Sequence, residues 1–278
     1  MIVFLGSVFS PYAAARRRRG QRPDPVDHAA VNVALDWGGL RRWTFTERGR
    51  RNVVRSASAL SIGPSRIERA GHALEIELAE LTVPVPRRVR GRIRLAFEGG
   101  SGPIVALDEG RRHFWSALSP CARIEIELDV PRIAWHGRAY VDTNWGERPL
   151  ESDFRSWHWS RTELADGRTA VFYDPVPLVG AVCSRALVFD RAGRLDGIEA
   201  PPLRPLPRSP WGVERSVRSA GEARVVRTLE DSPFYARSLV ETAIDGDRGV
   251  GIHESLDLGR FARPWVQRLL PFRAPRRA

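Results

Sequence analysis

The chain contains no lysine. All 44 basic side chains are arginine; set against 33 acidic ones, they leave a formal charge of +11 over 278 residues. Without lysine there is no Schiff-base aldolase, no pyridoxal enzyme and no P-loop phosphate site. Cysteine is equally scarce. Cys121 and Cys183 are too few for a disulfide framework or a four-ligand zinc site. The one methionine, Met1, excludes a methionine-rich surface. No apolar stretch approaches the length of a membrane span. The opening Ile2-Val3-Phe4-Leu5 has its arginines behind it, the reverse of a secretory signal. A cytoplasmic protein, soluble or peripheral to a membrane, is expected. No zinc-finger, helix-turn-helix or RNP motif accompanies the charge, so nucleic acid is not an expected partner. The arginines, including the run Arg16 to Arg19, suit a solvated surface or an anionic membrane surface.

What is present reads as β-structure. Leu74-Glu75-Ile76-Glu77-Leu78, Ile93-Arg94-Leu95-Ala96-Phe97 and Ile124-Glu125-Ile126-Glu127-Leu128 alternate with period two. Further strands are predicted at 31–35, 43–46, 170–173, 186–189, 225–229 and 238–244. Gly99-Gly100, Asp166-Gly167, Ala192-Gly193 and Asp245-Gly246 supply turns between them. Arg263 to Leu270 is the best short helix, and Pro201 to Pro210 a loop or edge crossing. Many short antiparallel strands mean a sandwich or barrel, and a small barrel can hold one long apolar ligand. The fold class is all-β with few short helices. A seam near residues 146–156 divides the chain into 1–150 and 151–278.

Nucleophile chemistry has little to stand on. No serine lies in a G-x-S-x-G frame, neither cysteine adjoins a histidine, and the six histidines form no H-E-x-x-H pair. No G-x-G-x-x-G follows a strand. Acid–base chemistry by carboxylates among aromatics remains. Residues two apart on a strand share a face, so His113 projects with Trp115 and Tyr140 with Asp142. If both strands line one cavity, a carboxyl group meets an imidazole, a phenol and an indole. Apolar burial raises an aspartate's pKa, and a neutral carboxylic acid can give up a proton at ordinary pH. From the residues alone, Asp142 is either that acid or a turn-capping side chain, and His113 either a participant or a satisfied structural histidine. Trp157-His158-Trp159-Ser160-Arg161 reads as a strand with core tryptophans.

The ordered set of short motifs resembles the carotenoid 1,2-hydratases, or hydroxyneurosporene synthases, of photosynthetic bacteria. It begins with Phe4-Leu5-Gly6-Ser7-Val8-Phe9-Ser10-Pro11-Tyr12, Asp27-His28, Asn32-Val33-Ala34, Thr46-Glu47-Arg48-Gly49-Arg50 and Ile62-Gly63-Pro64-Ser65. The middle holds Tyr140-x-Asp142-x-Asn144-x-Gly146, Leu150-Glu151, Phe154 and Trp157-x-Trp159-Ser160-Arg161. The tail holds Trp211-Gly212-Val213, Ser232-Pro233-Phe234-Tyr235-Ala236-Arg237-Ser238, Val240-Glu241-Thr242 and Gly251-Ile252-His253-Glu254-Ser255-Leu256-Asp257-Leu258. The resemblance implies two lipocalin-like β-barrel units. It implies cofactor-free addition of water to the terminal isoprenoid double bond of acyclic carotenes such as neurosporene and lycopene, with no metal. It assigns catalysis to His113, Trp115, Tyr140 and Asp142. Asn144, Trp145, Trp159 and Tyr173 are the candidate substrate-lining residues. Pro175-Val176-Pro177 departs from more polar residues in the family.

On that resemblance, Asp142 protonates the alkene, Trp115 and Tyr140 face the tertiary cation, and His113 orients the attacking water or takes its proton. Such substrates reside in bilayers. Peripheral binding through the positive charge is therefore expected, with Ile2 to Phe9 as an alternative, apolar insertion. A non-catalytic lipocalin-like carrier of isoprenoids, and an isoprenoid cyclase using the same acid, are the competing readings.

Overall fold

Alternation in the sequence becomes register in the structure, a computed structural model. It describes residues 1–6 and 8–277; Ser7, in the opening motif, and Ala278 lie outside the described residues. Strand Ala73–Leu81 pairs antiparallel with Arg88–Glu98 so that Ile76 faces Ile93 and Leu74 faces Leu95, while Glu75 faces Arg94 and Glu77 faces Arg92. Apolar pairs thus stack on one side and opposite charges meet on the other, the pairing that stabilises a sheet. Every predicted strand lies within an observed one. Three short α-helices are present among the described residues, Pro11–Arg18, Leu258–Phe261 and Pro264–Arg273. The fold is all-β.

The compact units are discontinuous in sequence, unlike a single cut at residue 150. One comprises residues 1–97, 123–138 and 267–278; the other comprises 98–122 and 139–266. The boundary falls inside strands His113–Val130 and Ile133–Gly146. In the first unit, Ile2–Phe4, Ala29–Trp37, Leu40–Arg48 and Arg276–Arg277 follow one another in a four-stranded sheet. Its core gathers Val31, Ile62, Ile76, Leu78, Val89 and Ile93. The charged Glu80 is buried there, held by both terminal nitrogens of Arg48 at 3.1 and 2.8 Å and by the Ser65 hydroxyl at 2.7 Å. Ile2 to Phe4 are committed to this sheet, pairing with Asn32 to Ala30, and Phe4 packs on Phe9 and Phe45. The expected alternative of insertion by Ile2 to Phe9 thus has its first three residues engaged in a sheet, while Leu5 remains exposed.

The arginine run Arg16 to Arg19 closes a helix. Ser10 caps it by accepting from the Ala13 amide at 2.9 Å, Pro11 opens it, and Arg16, Arg17 and Arg18 occupy its last turn. A proline start and basic end suit the unsatisfied groups and dipole of a helix.

The second unit is built on a seven-stranded antiparallel sheet. Its order is Leu195–Asp196, Arg185–Phe189, Thr169–Pro177, Phe154–Glu163, Asp247–Asp257, Tyr235–Ile244, Arg224–Asp231. Asp245 and Gly246, at φ of 51° and 82°, form the two-residue turn between Ile244 and Asp247 that their sequence predicts. The proline-rich stretch contributes Leu203–Leu206, paired with Arg215–Arg218 as a separate two-stranded sheet.

Candidate active site

The register of the seven-stranded sheet puts a row of functional side chains on one face. Tyr173 stands opposite Trp159, Trp159 opposite Glu254, Glu254 opposite Arg237, and Arg237 opposite Glu230. Arg237 donates to Glu254 at 2.8 Å and to Glu230 at 3.1 Å. Over this row lie Tyr140 and Asp142. The Tyr140 ring packs on Trp159 at 5.8 Å between centroids, with the Arg161 guanidinium 5.4 Å from its own centroid. The indole N–H of Trp115, a fully buried residue, donates to Asp142 Oδ2 at 2.8 Å. The Tyr140 hydroxyl donates to the same oxygen at 3.2 Å. Asp142 as a residue keeps some solvent access, yet protein crowds its carboxyl group.

Electrostatics follow from that crowding. Desolvation pushes the Asp142 pKa up to about 6; the Trp115 hydrogen bond opposes the rise, the negative charge of Glu254 adds to it, and the Tyr140 hydrogen bond opposes it. Burial first, and the Asp142 charge second, hold Tyr140 and Tyr173 well above the ordinary phenol value, so both keep their protons. Tyr173 accepts a 2.7 Å hydrogen bond from the Asn144 amide, and its ring packs on Trp115 at 5.8 Å and on Trp157 at 5.5 Å. The cluster can therefore hold an acidic proton at near-neutral pH inside an aromatic wall. Asp142, Tyr140, Trp115, Asn144, Trp159 and Tyr173 are all brought together in it.

Two expected residues are not. His113 Nε2 lies 2.8 Å from Asp153 Oδ2 and its amide donates to Asp108 at 2.9 Å. A carboxylate only accepts, so Nε2 carries the hydrogen. The other ring nitrogen sits where Gly146 leaves room: a Cβ on Gly146 would lie 2.6 Å from Nδ1. Among the described residues no hydrogen bond joins His113 to Asp142, Tyr140 or Trp115. The structure thus places the imidazole expected beside the attacking water on Asp153. Trp145 is an odd residue on a strand whose even positions carry Tyr140, Asp142 and Asn144. It faces the other way and stacks on Phe114 at 5.6 Å.

Sequence reasoning missed Asp153 and Glu254. Asp153 is buried and draws in Arg112 at 3.1 Å and Arg148 at 3.4 Å besides His113. Glu254 had a signal, the alternation in Ile252-His253-Glu254-Ser255, but its opposition to Trp159 is set by strand order. The reverse face of the same sheet stacks His158 on His253 at 6.0 Å, with His158 bonded to Ser255. Burial pushes the His253 pKa down to about 3. Among the described residues no group of three His, Cys, Asp or Glu is placed to hold a metal ion. An open cleft lined by Arg48, Arg51, Asn52 and Arg277 belongs to the first unit and includes none of the residues around Asp142.

An all-β scaffold presenting a near-neutral carboxyl group in an aromatic wall suits acid–base chemistry on an apolar substrate. The comparisons with known proteins give the particular family. The family model of the carotenoid hydratase CrtC matches residues 1–278, and the chain belongs to that family. It is 47% identical to the acyclic carotenoid 1,2-hydratase of Thiocapsa roseopersicina, over 99% of this chain and 68% of that one. It is 44% identical to the acyclic carotenoid 1,2-hydratase of Rubrivivax gelatinosus, over 100% of this chain and 69% of that one. The crystal structure of kievitone hydratase from Nectria haematococca is similar in fold, with a TM-score of 0.50 over 82% of this chain and 83% of that one, at 12% identity.

Proposed function

We propose that this chain adds water across the terminal isoprenoid double bond of an acyclic carotenoid, with Asp142 as the proton donor. The observation that carries the reading is the Asp142 carboxyl group. Oδ2 accepts both side-chain hydrogen bonds, from Trp115 and Tyr140, and Oδ1 receives no side-chain donor among the described residues. We assign the acidic proton to Oδ1, the oxygen that neither side-chain donor occupies. An alkene is a very weak base, so its protonation needs a neutral acid, and a pKa of about 6 leaves a useful protonated fraction that an apolar substrate enlarges by displacing water.

The proton passes from Oδ1 to the less substituted alkene carbon. Positive charge develops on the carbon bearing two methyl groups, beside the electron-rich rings of Tyr140, Trp159 and Tyr173. Water attacks that carbon, and its surplus proton returns to the Asp142 carboxylate, which completes the cycle without a redox change or a cofactor. Trp115 fixes the carboxyl group through its N–H. Asn144 holds the Tyr173 hydroxyl, and His113 acts at one remove by anchoring Asp153 beneath the same strand ends. Trp145 lies outside the reacting cluster.

The substrate is insoluble in water, so the protein meets it at a membrane, on the cytoplasmic face, with the +11 charge favouring an anionic leaflet. No helix among the described residues is long and apolar enough to cross a membrane. The test of the chemistry is incubation with neurosporene or lycopene in detergent. A mass gain of one water is expected from the native chain and none from Asp142→Asn. Binding of carotenoid without any mass gain would replace hydration by carriage.

A further inference from the structure

From Pro175 to Ser184 the chain carries no charge, and the part beyond strand Thr169–Pro177 is turned outward. Val179 is 91% exposed, Val182 60% and Leu178 47%. Three aliphatic side chains on one short turn, each offered to solvent, are a cost in water unless something apolar receives them. The turn is nonetheless firmly rooted. The Leu178 amide donates to the Asp153 carbonyl at 2.8 Å, and Asp153 is the residue gripped by His113, Arg112 and Arg148. Gly180, at φ +96°, lies so close to Glu109 that a Cβ would come within 2.8 Å of its carboxylate.

Other chain ends converge on the same root. Gly146 is packed on the His113 ring, and the preceding Trp145 is 43% exposed, stacked on Phe114, with the Arg111 guanidinium 5.8 Å from that ring. Arg185, which follows the turn, donates to the carbonyls of Ser184 and Ala106. Aliphatic tips above a root whose rim carries a tryptophan and arginines match the order of chemistries met on entering a bilayer interface. The rim also lies near the reacting cluster. Trp145 is three residues along its strand from Asp142, about 10 Å, and Leu178 is five residues from Tyr173, roughly 17 Å.

We infer that the turn 178–183, with Trp145 on a strand end that shares its root, enters an anionic lipid bilayer and sets these strand ends over the apolar phase that holds the substrate. The inference rests on the reading of an apolar, membrane-held substrate, and it names the lipid-facing residues that reading lacks. Net charge brings the molecule to the leaflet, and the turn supplies apolar insertion. A carboxylate placed on the turn would have to shed its water to enter, and would be repelled by the anionic leaflet as well.

The experiment uses the whole chain and vesicles of phosphatidylglycerol and phosphatidylcholine. Cys183 lies on the turn and is part-exposed, whereas Cys121 is buried, so an environment-sensitive thiol dye reports on the turn. The native protein should co-float with vesicles and the dye emission should shift to the blue. The double variant Val179→Asp, Val182→Asp should lose at least tenfold in vesicle partition, and Val179→Ser, Val182→Ser should lose less. Both should hydrate detergent-dispersed substrate within twofold of the native rate and melt at the native temperature. Unchanged partition in the aspartate variant, an unshifted dye, or no vesicle binding by the native protein would overturn the inference. So would a change in oligomeric state of the aspartate variant without lipid, which would assign the turn to a second copy of the chain. Absence of hydration by the native protein in detergent would instead overturn the catalytic reading, independently of the vesicle result.

Discussion

Two aspartates in the second unit sit a few residues from the same strand ends and have opposite surroundings. Asp153 has Arg112 at 3.1 Å, Arg148 at 3.4 Å and the His113 imidazole at 2.8 Å. Asp142 has no cation bonded to it among the described residues; its partners are an indole N–H and a phenol O–H, and its charged neighbour is another carboxylate. Paired charge makes the first a structural anchor. The second has only neutral donors to offset desolvation, which leaves its pKa raised to about 6. An acid in a protein is thus made less by what is added around a carboxyl group than by withholding a cation from it.

The largest effect should come from removing the proton itself. Asp142→Asn retains an acceptor for Trp115 and Tyr140 but has no acidic proton to give, and turnover should fall by about a thousandfold or more. Stability should move the other way. Because the folded pKa lies above the ordinary carboxyl value, the native state holds the proton more tightly than the unfolded chain, so folding weakens as pH rises from about 4 to about 6. The asparagine variant escapes that loss. Thermal melts should show no gain at pH 4 and a gain at pH 8 of at most about 3 kcal/mol. A variant less stable at pH 8 than the native protein would mean that Asp142 is a paired structural carboxylate after all.

Asp153→Asn should do the reverse, costing about 3 kcal/mol of stability, because it leaves Arg112, Arg148 and the His113 Nε2–H around a neutral amide. Arg112 and Arg148 reach solvent, at 38% and 46% side-chain exposure, which moderates the loss. The pH dependence of turnover in whatever enzyme remains folded should be unchanged. A displaced pH profile would return the His113–Asp153 pair to the chemistry.

Much of this contrast was written in the sequence, and part of it could not be. Period two paired Tyr140 with Asp142 and His113 with Trp115, and the same parity set Trp145 against Asn144, so its outward stacking on Phe114 was readable. His113 and Trp115 do share a face, but two residues along a strand are about 6.6 Å apart. That distance separates the Asp153 environment from the Asp142 environment. Which carboxylate meets which ring depends on residues 27 and 40 apart in the chain, and no local pattern carries it. Glu254 is hidden for the same reason: its place beside Trp159 follows from Asp247–Asp257 inserting next to Phe154–Glu163. The helix Pro11–Arg18, not predicted from the sequence, did have a local signal in Ser10-Pro11.

A smaller effect, on position rather than presence of the proton, is expected at Trp115. Trp115→Phe keeps most of the buried ring and deletes the N–H that stabilises the Asp142 anion. Turnover should fall about tenfold, and the pH above which activity declines should rise. Trp115→Ala should lose more, since emptying a fully buried indole site costs about 3–5 kcal/mol of stability as well. Equal rates for the two variants, with an unmoved profile, would remove Trp115 from any bond to the acid.

The smallest shift should be at Glu254, with the sign opposite to that of Trp115→Phe. Its negative charge raises the Asp142 pKa, and no hydrogen bond joins the two carboxyl groups among the described residues. Glu254→Gln preserves the shape and an acceptor for Arg237, which keeps Glu230 as a second partner. With the like charge gone, the Asp142 proton leaves more readily, and the decline of activity should move to lower pH by roughly half a unit. High salt should reproduce little of this, because the row Tyr173–Trp159–Glu254–Arg237 is screened by protein rather than by ions. Opposed displacements from Trp115→Phe and Glu254→Gln, measured on turnover against pH, would show that one carboxyl group is tuned by a donor on one side and a like charge on the other. Displacements in the same direction would mean that the two substitutions act through the packing of Tyr140 and Trp159 and not through the acid.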